Sequence, residues 1–277
     1  MRHAIVLHSI VPVRTDAREG AEQSTQLLFG ELCEVLEILP RWCKVRNESD
    51  GEEGYADRKM ITPMSDEEYV SYSTSLASGS ARVMLPMTYA VSENNGQTIP
   101  LTMGTRLADY HDGQFEVLGV KFRIDVNAVA ERPLPLNQAT LMQATRFLLN
   151  TPYLWGGKNA LGMDCSGLTQ TVMSLFGVSL PRNAGQQVTC GEEVSQLSEA
   201  KAGDLAFFDH DDPDSEGTEP NNSKADTRIS HVGILIDSSR IVHCSGRVKV
   251  EDISERGIFG QEQKLFTHHL AAIRRLI

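Results

Sequence analysis

The sequence predicts a chain in three parts: two small all-β segments, residues 1–64 and 65–132, and an α+β domain over residues 133–277. Three observations lead there. Short apolar or alternating runs, separated by turn residues, fill the first half. Glu131-Arg-Pro-Leu-Pro135 then interrupts them as a stiff linker, because proline fixes φ and discourages helix before it. Beyond the linker the apolar spacing turns helical, and strands return only near residue 204.

In the first segment, Val11 with Val13, the Leu27-Leu-Phe29 run, residues 33–39, residues 42–45 and Gly54-Tyr-Ala56 read as strands. Polar turns at residues 16–20 and 47–51, and Thr62-Pro63, separate them. Strands this short at near-regular spacing suggest a small barrel. The second segment repeats that character more faintly, with strands at 82–87, 99–101, 105–108, 114–119 and 122–126. Turn chemistry at Asn94-Asn-Gly96 and His111-Asp-Gly113 divides them.

In the third part, Leu141, Ala144, Thr145 and Leu148 share a helix face that Asn150-Thr-Pro152 ends. Leu168, Val172, Leu175 and Phe176 mark a second helix, stopped by Gly177. Strands follow at 204–208, 230–236, 240–244, 248–250 and 271–277. Helices first and strands after imply an antiparallel sheet behind the second helix. Residues 209–228 carry seven acids against Lys224 and Arg228 and read as a solvated excursion rather than a metal site.

Charge and composition narrow the partners. A net charge of −11 argues against nucleic acid or an anionic membrane surface. No stretch approaches the ~20 apolar residues of a membrane span. The apolar run near the start is broken by His8 and Ser9, so it reads as a first strand rather than a signal peptide. Five cysteines without C-x-x-C spacing indicate neither a disulfide framework nor a zinc knuckle, and reduced thiols in the cytoplasm are the simpler expectation. A trimmed signal would make the chain periplasmic or secreted instead.

Chemistry centres on Cys165. Asp164-Cys-Ser-Gly167 follows a glycine-punctuated aromatic loop and opens the second helix. Free N–H groups and the positive dipole end at a helix start are expected to lower the thiol pKa. A cysteine nucleophile also needs a base and a group to orient that base. His231 and His243, on consecutive predicted strands, can lie side by side on one face. In that arrangement His231 pairs with Cys165 and His243 fixes its tautomer. His3, His8, His111, His210, His268 and His269 have no such context and read as surface or core residues.

Two resemblances follow. Pro12-Val-Arg14, Thr25-Gln-Leu-Leu-Phe-Gly-Glu31, Trp42, Asp50-Gly51 and Gly54-Tyr55 resemble the bacterial SH3-like domain attached to cell-wall peptidases. The fainter second segment is read as a second SH3-like barrel. Tyr153-x-Trp-Gly-Gly157, Asp164-Cys-Ser-Gly167, Leu180-Pro-Arg182, Gly203-Asp-Leu205, Ser230-His-Val-Gly233 and Ile241-Val-His243 resemble, in order, the NlpC/p60 family of papain-like peptidases.

That resemblance implies a γ-D-glutamyl-L-diamino-acid endopeptidase of the subgroup that trims murein peptides for recycling. It would act as a monomer and without a cofactor on L-Ala-γ-D-Glu-diamino-acid peptides. By the same resemblance Cys165, His231 and His243 form the catalytic set, Tyr153 assists at the oxyanion, and Asp164 and Ser166 line the specificity pocket. Glu22 and Tyr55 would hold the substrate's free N-terminal amine. Asn183 and Ala184 depart from the pattern, which has an acid and a small hydroxyl residue there. Rival readings are a non-catalytic peptidoglycan-fragment binder, a zinc site at Cys165, His231 and His243, and an amidase or acyltransferase on another acyl substrate.

Overall fold

The alternating runs of the first segment pair into one antiparallel sheet. In a computed structural model, which describes residues 2–79, 81–209 and 229–277, the strand order is Gln23–Leu28, Ile10–Arg14, Glu53–Asp57, Trp42–Asn47, Leu32–Ile38, His3–Ile5, Thr62–Met64. Burial alternates along Ile10–Arg14, with Val11 and Val13 facing in, the period-2 signature of a half-buried strand. The expected single first strand is two, His3–Ile5 and Ile10–Arg14, with a bend at His8 and Ser9 between them. Ala4, Val6, Val11, Val13, Leu27 and Val45 fill the core of this sheet.

The second segment is not all-β as expected. It opens with a helix, α1 (Asp66–Ser78). Ser65 accepts the Glu68 N–H while the Glu68 carboxylate takes the Ser65 N–H at 2.8 Å, a reciprocal cap. Asp66, Glu67 and Glu68 add negative charge at the positive end of the helix. A four-stranded antiparallel sheet follows, ordered Thr98–Thr102, Met87–Ser92, Val120–Arg123, Gln114–Val117, beside a short pair of Arg82–Val83 with Val129–Ala130. The strand expected at 105–108 is reduced to one bridge, Arg82 to Arg106. This segment shares its core with the first: Phe29 meets Phe115 and Phe122 edge-on, and Ile5, Leu32 and Met64 join Leu101 and Leu107.

The third part is α+β. Helix α2 (Gln138–Thr145) is shorter than predicted, giving way to turns at 146–150, although Leu148 stays fully buried. Helix α3 (Cys165–Ser174) buries Leu168 and Val172, and the chain leaves its last turn through Gly177 at φ +81°. A short helix, α4 (Ala184–Gln187), precedes the sheet.

The sheet runs Glu192–Glu193, Leu265–Arg275, Leu205–Asp209, Ile229–Leu235, Arg240–Ser245, Arg247–Ser254, Gly257–Gly260. Leu265–Arg275 pairs with Gly257–Gly260 as well, so six of these strands close on themselves. Both faces are buried. Leu205, Phe207, Val232, Ile234 and Val242 pack toward α3, while Ala206, Phe208, Leu235 and Ile241 join Ile253, Ile258 and Ile273. Residues 210–228, the acidic excursion of the sequence, lie outside the described residues.

Candidate active site

Cys165 is the first residue of α3 and is 6% exposed. Asp164 caps the helix: Oδ1 accepts the Gly167 N–H at 2.7 Å and the Ser166 hydroxyl at 3.2 Å, and Oδ2 accepts the Gly156 N–H at 2.8 Å. Arg182, itself 1% exposed, closes the arrangement with Nη1 3.0 Å from Asp164 Oδ1 and Nη2 2.5 Å from Oδ2. Its Nη1 also reaches Ser166 Oγ at 2.8 Å. A buried carboxylate with this set of donors is held in one orientation. Asp164 and Ser166 line the cleft, but their polar atoms are engaged in positioning the aromatic loop and α3.

The expected lowering of the thiol pKa is overturned. Burial pushes Cys165 up to about 11, and the Asp164 charge adds to it, against lowering contributions from the backbone N–H groups of Val232 and Ser166 and from Arg182. The helix-start effect is present but smaller than desolvation of the sulfur. Tyr153 is raised for the same first reason, then by the nearby Cys165 and Asp164, so its phenol remains a donor.

The two histidines meet as the strand pattern predicts, by a diagonal step rather than directly opposite. Gly233 faces His243 in the ladder, and His231, two residues earlier on the same face, reaches His243 across the diagonal. His231 Nε2 lies 2.9 Å from His243 Nδ1. A second diagonal step, from Arg240–Ser245 to Arg247–Ser254, brings His243 Nε2 to 2.9 Å from Glu251 Oε2. Burial lowers the His243 pKa, partly opposed by the Glu251 carboxylate. Burial pushes Glu251 up, but hydrogen bonds from His243 and Lys249 outweigh it and leave its carboxyl at about 2. Both ring nitrogens of His243 are thereby engaged, which leaves neither for a metal. Among the described residues, no group of three or more His, Cys, Asp and Glu side chains is placed to hold one.

Cys165, His231, Tyr153, Asp164 and Ser166 open on one cleft of about 1190 Å³. Ser24 of the N-terminal sheet lines it too. Glu22 is exposed one residue before the strand Gln23–Leu28 that carries Ser24, and Tyr55 is half-buried on Glu53–Asp57; neither lines the cleft. Three residues that the sequence reading did not assign to the site belong here. Glu251 ends the histidine chain. His268 packs against His231, tilted 33° to it with ring centroids 4.3 Å apart. Glu52, raised by burial and then by Asp50, takes the Asn183 side-chain amide at 3.0 Å. Asn183, one of the two departures from the family pattern, thus recruits a carboxylate from the other domain.

The N-terminal sheet is bonded into the loop before Cys165. Gln26 Oε1 accepts both the Lys158 N–H and the Asn159 amide at 2.9 Å. Lys158, 5% exposed, places Nζ 3.3 Å from Glu31 and 3.6 Å from Asp50. Arg182 Nε donates to Thr25 Oγ1 at 2.9 Å, and Gln23 Nε2 to the Trp155 carbonyl at 3.0 Å. A Cβ on Gly156, at φ +72°, would lie 2.6 Å from the Gln23 carbonyl oxygen, so only glycine fits this approach.

Comparison with known proteins agrees with this layout. Residues 150–266 match the profile of the NlpC/P60 family, and residues 13–61 match that of the bacterial dipeptidyl-peptidase Sh3 domain. The chain is 27% identical over 266 residues to a gamma-D-glutamyl-L-lysine dipeptidyl-peptidase of Bacillus subtilis, covering 91% of this chain and 80% of that protein. It is 34% identical over 110 residues to a probable endopeptidase p60 of Listeria innocua, 39% of this chain and 20% of that one. A crystal structure of an NlpC/P60 family protein from Bacillus cereus superposes with a TM-score of 0.78 at 20% identity, covering 99% of both chains, and so shares the fold. No helix among the described residues is long and apolar enough to cross a membrane.

Proposed function

Given that this chain belongs to the NlpC/P60 family, with an N-terminal bacterial dipeptidyl-peptidase Sh3 domain, we propose that it is a cysteine endopeptidase of murein peptides. It cuts the bond between γ-D-Glu and the diamino acid in L-Ala-γ-D-Glu-diamino-acid fragments. The observation that carries this is the chain His231–His243–Glu251 beside a helix-start Cys165 in one cleft. The name of the Bacillus subtilis relative supports the bond, with L-lysine as its diamino acid.

Each residue then has a task. Glu251, ionised, accepts a hydrogen from His243 Nε2; His243 Nδ1 in turn accepts from His231 Nε2. That leaves His231 Nδ1 as the basic nitrogen. A thiol held near 11 stays protonated at neutral pH, so sulfur attack on the γ-carbonyl is coupled to proton transfer onto His231. The Cys165 backbone N–H and the Tyr153 hydroxyl stabilise the oxyanion. His231 gives its proton to the departing amine, then takes one from the water that hydrolyses the thioester.

The free N-terminal amine of the substrate is assigned to Glu22 and Tyr55. Ser24, two residues after Glu22 in the chain, reaches the cleft, and Glu52 at Asn183 adds a second carboxylate at that end. In the same reading residues 65–132 form a second, reduced SH3-like unit, supported by the four-stranded sheet, between limits at 64/65 and 132/133. A cytoplasmic, monomeric enzyme belongs to it as well; that all five cysteines are free supports the compartment.

Mass spectrometry of L-Ala-γ-D-Glu-meso-diaminopimelate incubated with the parent chain and with Cys165→Ala tests the reading. Release of L-Ala-D-Glu by the parent alone is expected, and acetylation of the alanine amine should suppress it. Intact peptide in both samples would overturn the assignment.

A further inference from the structure

A second histidine, His268, lines the cleft beside His231. Closure of the sheet delivers it: Leu265–Arg275 pairs with Gly257–Gly260, His268 stands opposite Ile258, and its side chain lines the cleft. Its ring lies 4.3 Å from that of His231 with planes 33° apart, nearer than to His243 at 5.6 Å or Phe208 at 5.9 Å. Thr267 Oγ1, 2.9 Å from Nδ1, fixes its rotation. Among the described residues lining the cleft, only His231 and His268 have side chains that can carry positive charge.

We propose that His268 recognises the α-carboxylate of the residue whose amine is released, and so selects substrates in which that carboxylate is free. The assignment rests on the peptidase reading above. The leaving nitrogen takes its proton from His231 and therefore sits within hydrogen-bond distance of that ring. In an α-amino acid the carboxylate carbon is two bonds from this nitrogen, about 2.5 Å away. A side chain packed on His231 and open to the same cleft is within reach of it. An imidazole N–H is a suitable donor to a carboxylate. Extending the peptide past the diamino acid converts this carboxylate to an amide and removes the recognised charge. Tripeptides ending at the diamino acid are the selected class.

The test compares kcat/KM for L-Ala-γ-D-Glu-L-Lys as the free acid and as the C-terminal carboxamide, using the parent, His268→Ala, His268→Phe and His268→Gln. The parent should favour the free acid by about ten- to a hundredfold, the size of one charge-assisted hydrogen bond. His268→Ala and His268→Phe should bring the ratio to about one, and His268→Gln should recover part of it. A preference for the acid that survives in His268→Ala overturns the proposal. So does an equal loss on both peptides that His268→Phe restores, since that marks ring packing against His231 alone. Cleavage of neither peptide by the parent overturns the peptidase reading itself, and the His268 assignment with it.

Discussion

Replacing Glu251 by glutamine changes one polar atom in the relay and is expected to disable it. Glu251 is 5% exposed, with Oε2 2.9 Å from His243 Nε2 and 3.1 Å from Lys249 Nζ, and Oε1 accepting the Gln261 N–H at 3.2 Å. An ionised carboxylate only accepts, so it obliges His243 Nε2 to carry the hydrogen and Nδ1 to accept from His231. A glutamine whose oxygen accepts the Gln261 N–H in place of Oε1 presents its NH2 to His243 and reverses both tautomers. One lost charge-assisted bond is about 1.5–3 kcal/mol, a fall in kcat of about ten- to 150-fold with KM little changed. Steady-state hydrolysis of the tripeptide, with melting curves run in parallel, reads the effect. The parent's carboxyl, lowered from 4.5 to about 2, adds stability that is present above pH 4.5 and lost as pH falls toward 2. Glu251→Gln should therefore also flatten the acid limb of the stability curve. A folded variant with kcat within about twofold of the parent would refute the relay.

Gly233→Ala should impair chemistry more than folding. The added Cβ would lie 2.7 Å from Ile241 Cδ1 and 2.8 Å from His243 Cβ, displacing the relay for an overpacking cost of about 1–3 kcal/mol. Parental kcat in this variant would contradict the tight fit. Alkylation of Cys165 by iodoacetamide in the empty cleft should quicken about tenfold per pH unit from 7 to 10, because the thiol titrates at about 11. A plateau below pH 8 would instead reveal a preformed thiolate. Arg182→Met strands the buried Asp164 carboxylate and should cost about 3–5 kcal/mol in urea unfolding. A change under about 1 kcal/mol would show that Asp164 finds other partners.

Local pattern carries a reader far in this chain. Alternation along Val11 and Val13 gives the first sheet, and the apolar stripe of α3 with Gly177 gives the nucleophile helix. The spacing of His231 and His243 gives their meeting. What escapes is decided by distant residues. Helix α1 buries only Tyr72 and Leu76, too thin a stripe for periodicity, although Ser65 and Glu68 carried a capping signature. Glu251 could have been found by applying the His231-to-His243 diagonal once more. His268 could not, since it arrives through sheet closure. The thiol's raised pKa depends on how deeply the sulfur is packed, which a helix start cannot reveal. The core that Phe29 completes with Phe115 and Phe122 across the 64/65 limit is likewise a contact between distant residues that no local run announces.

The hydrogen bonds of Gln26, Glu31, Asp50 and Thr25 to residues 158–182 have an evolutionary corollary. Recombination at the proline linker would transmit a catalytic half whose buried Lys158 ammonium and Arg182 Nε had lost their counterparts. An N-terminal sheet put in its place would have to supply a glutamine, a threonine and acids at the same positions to refill that junction.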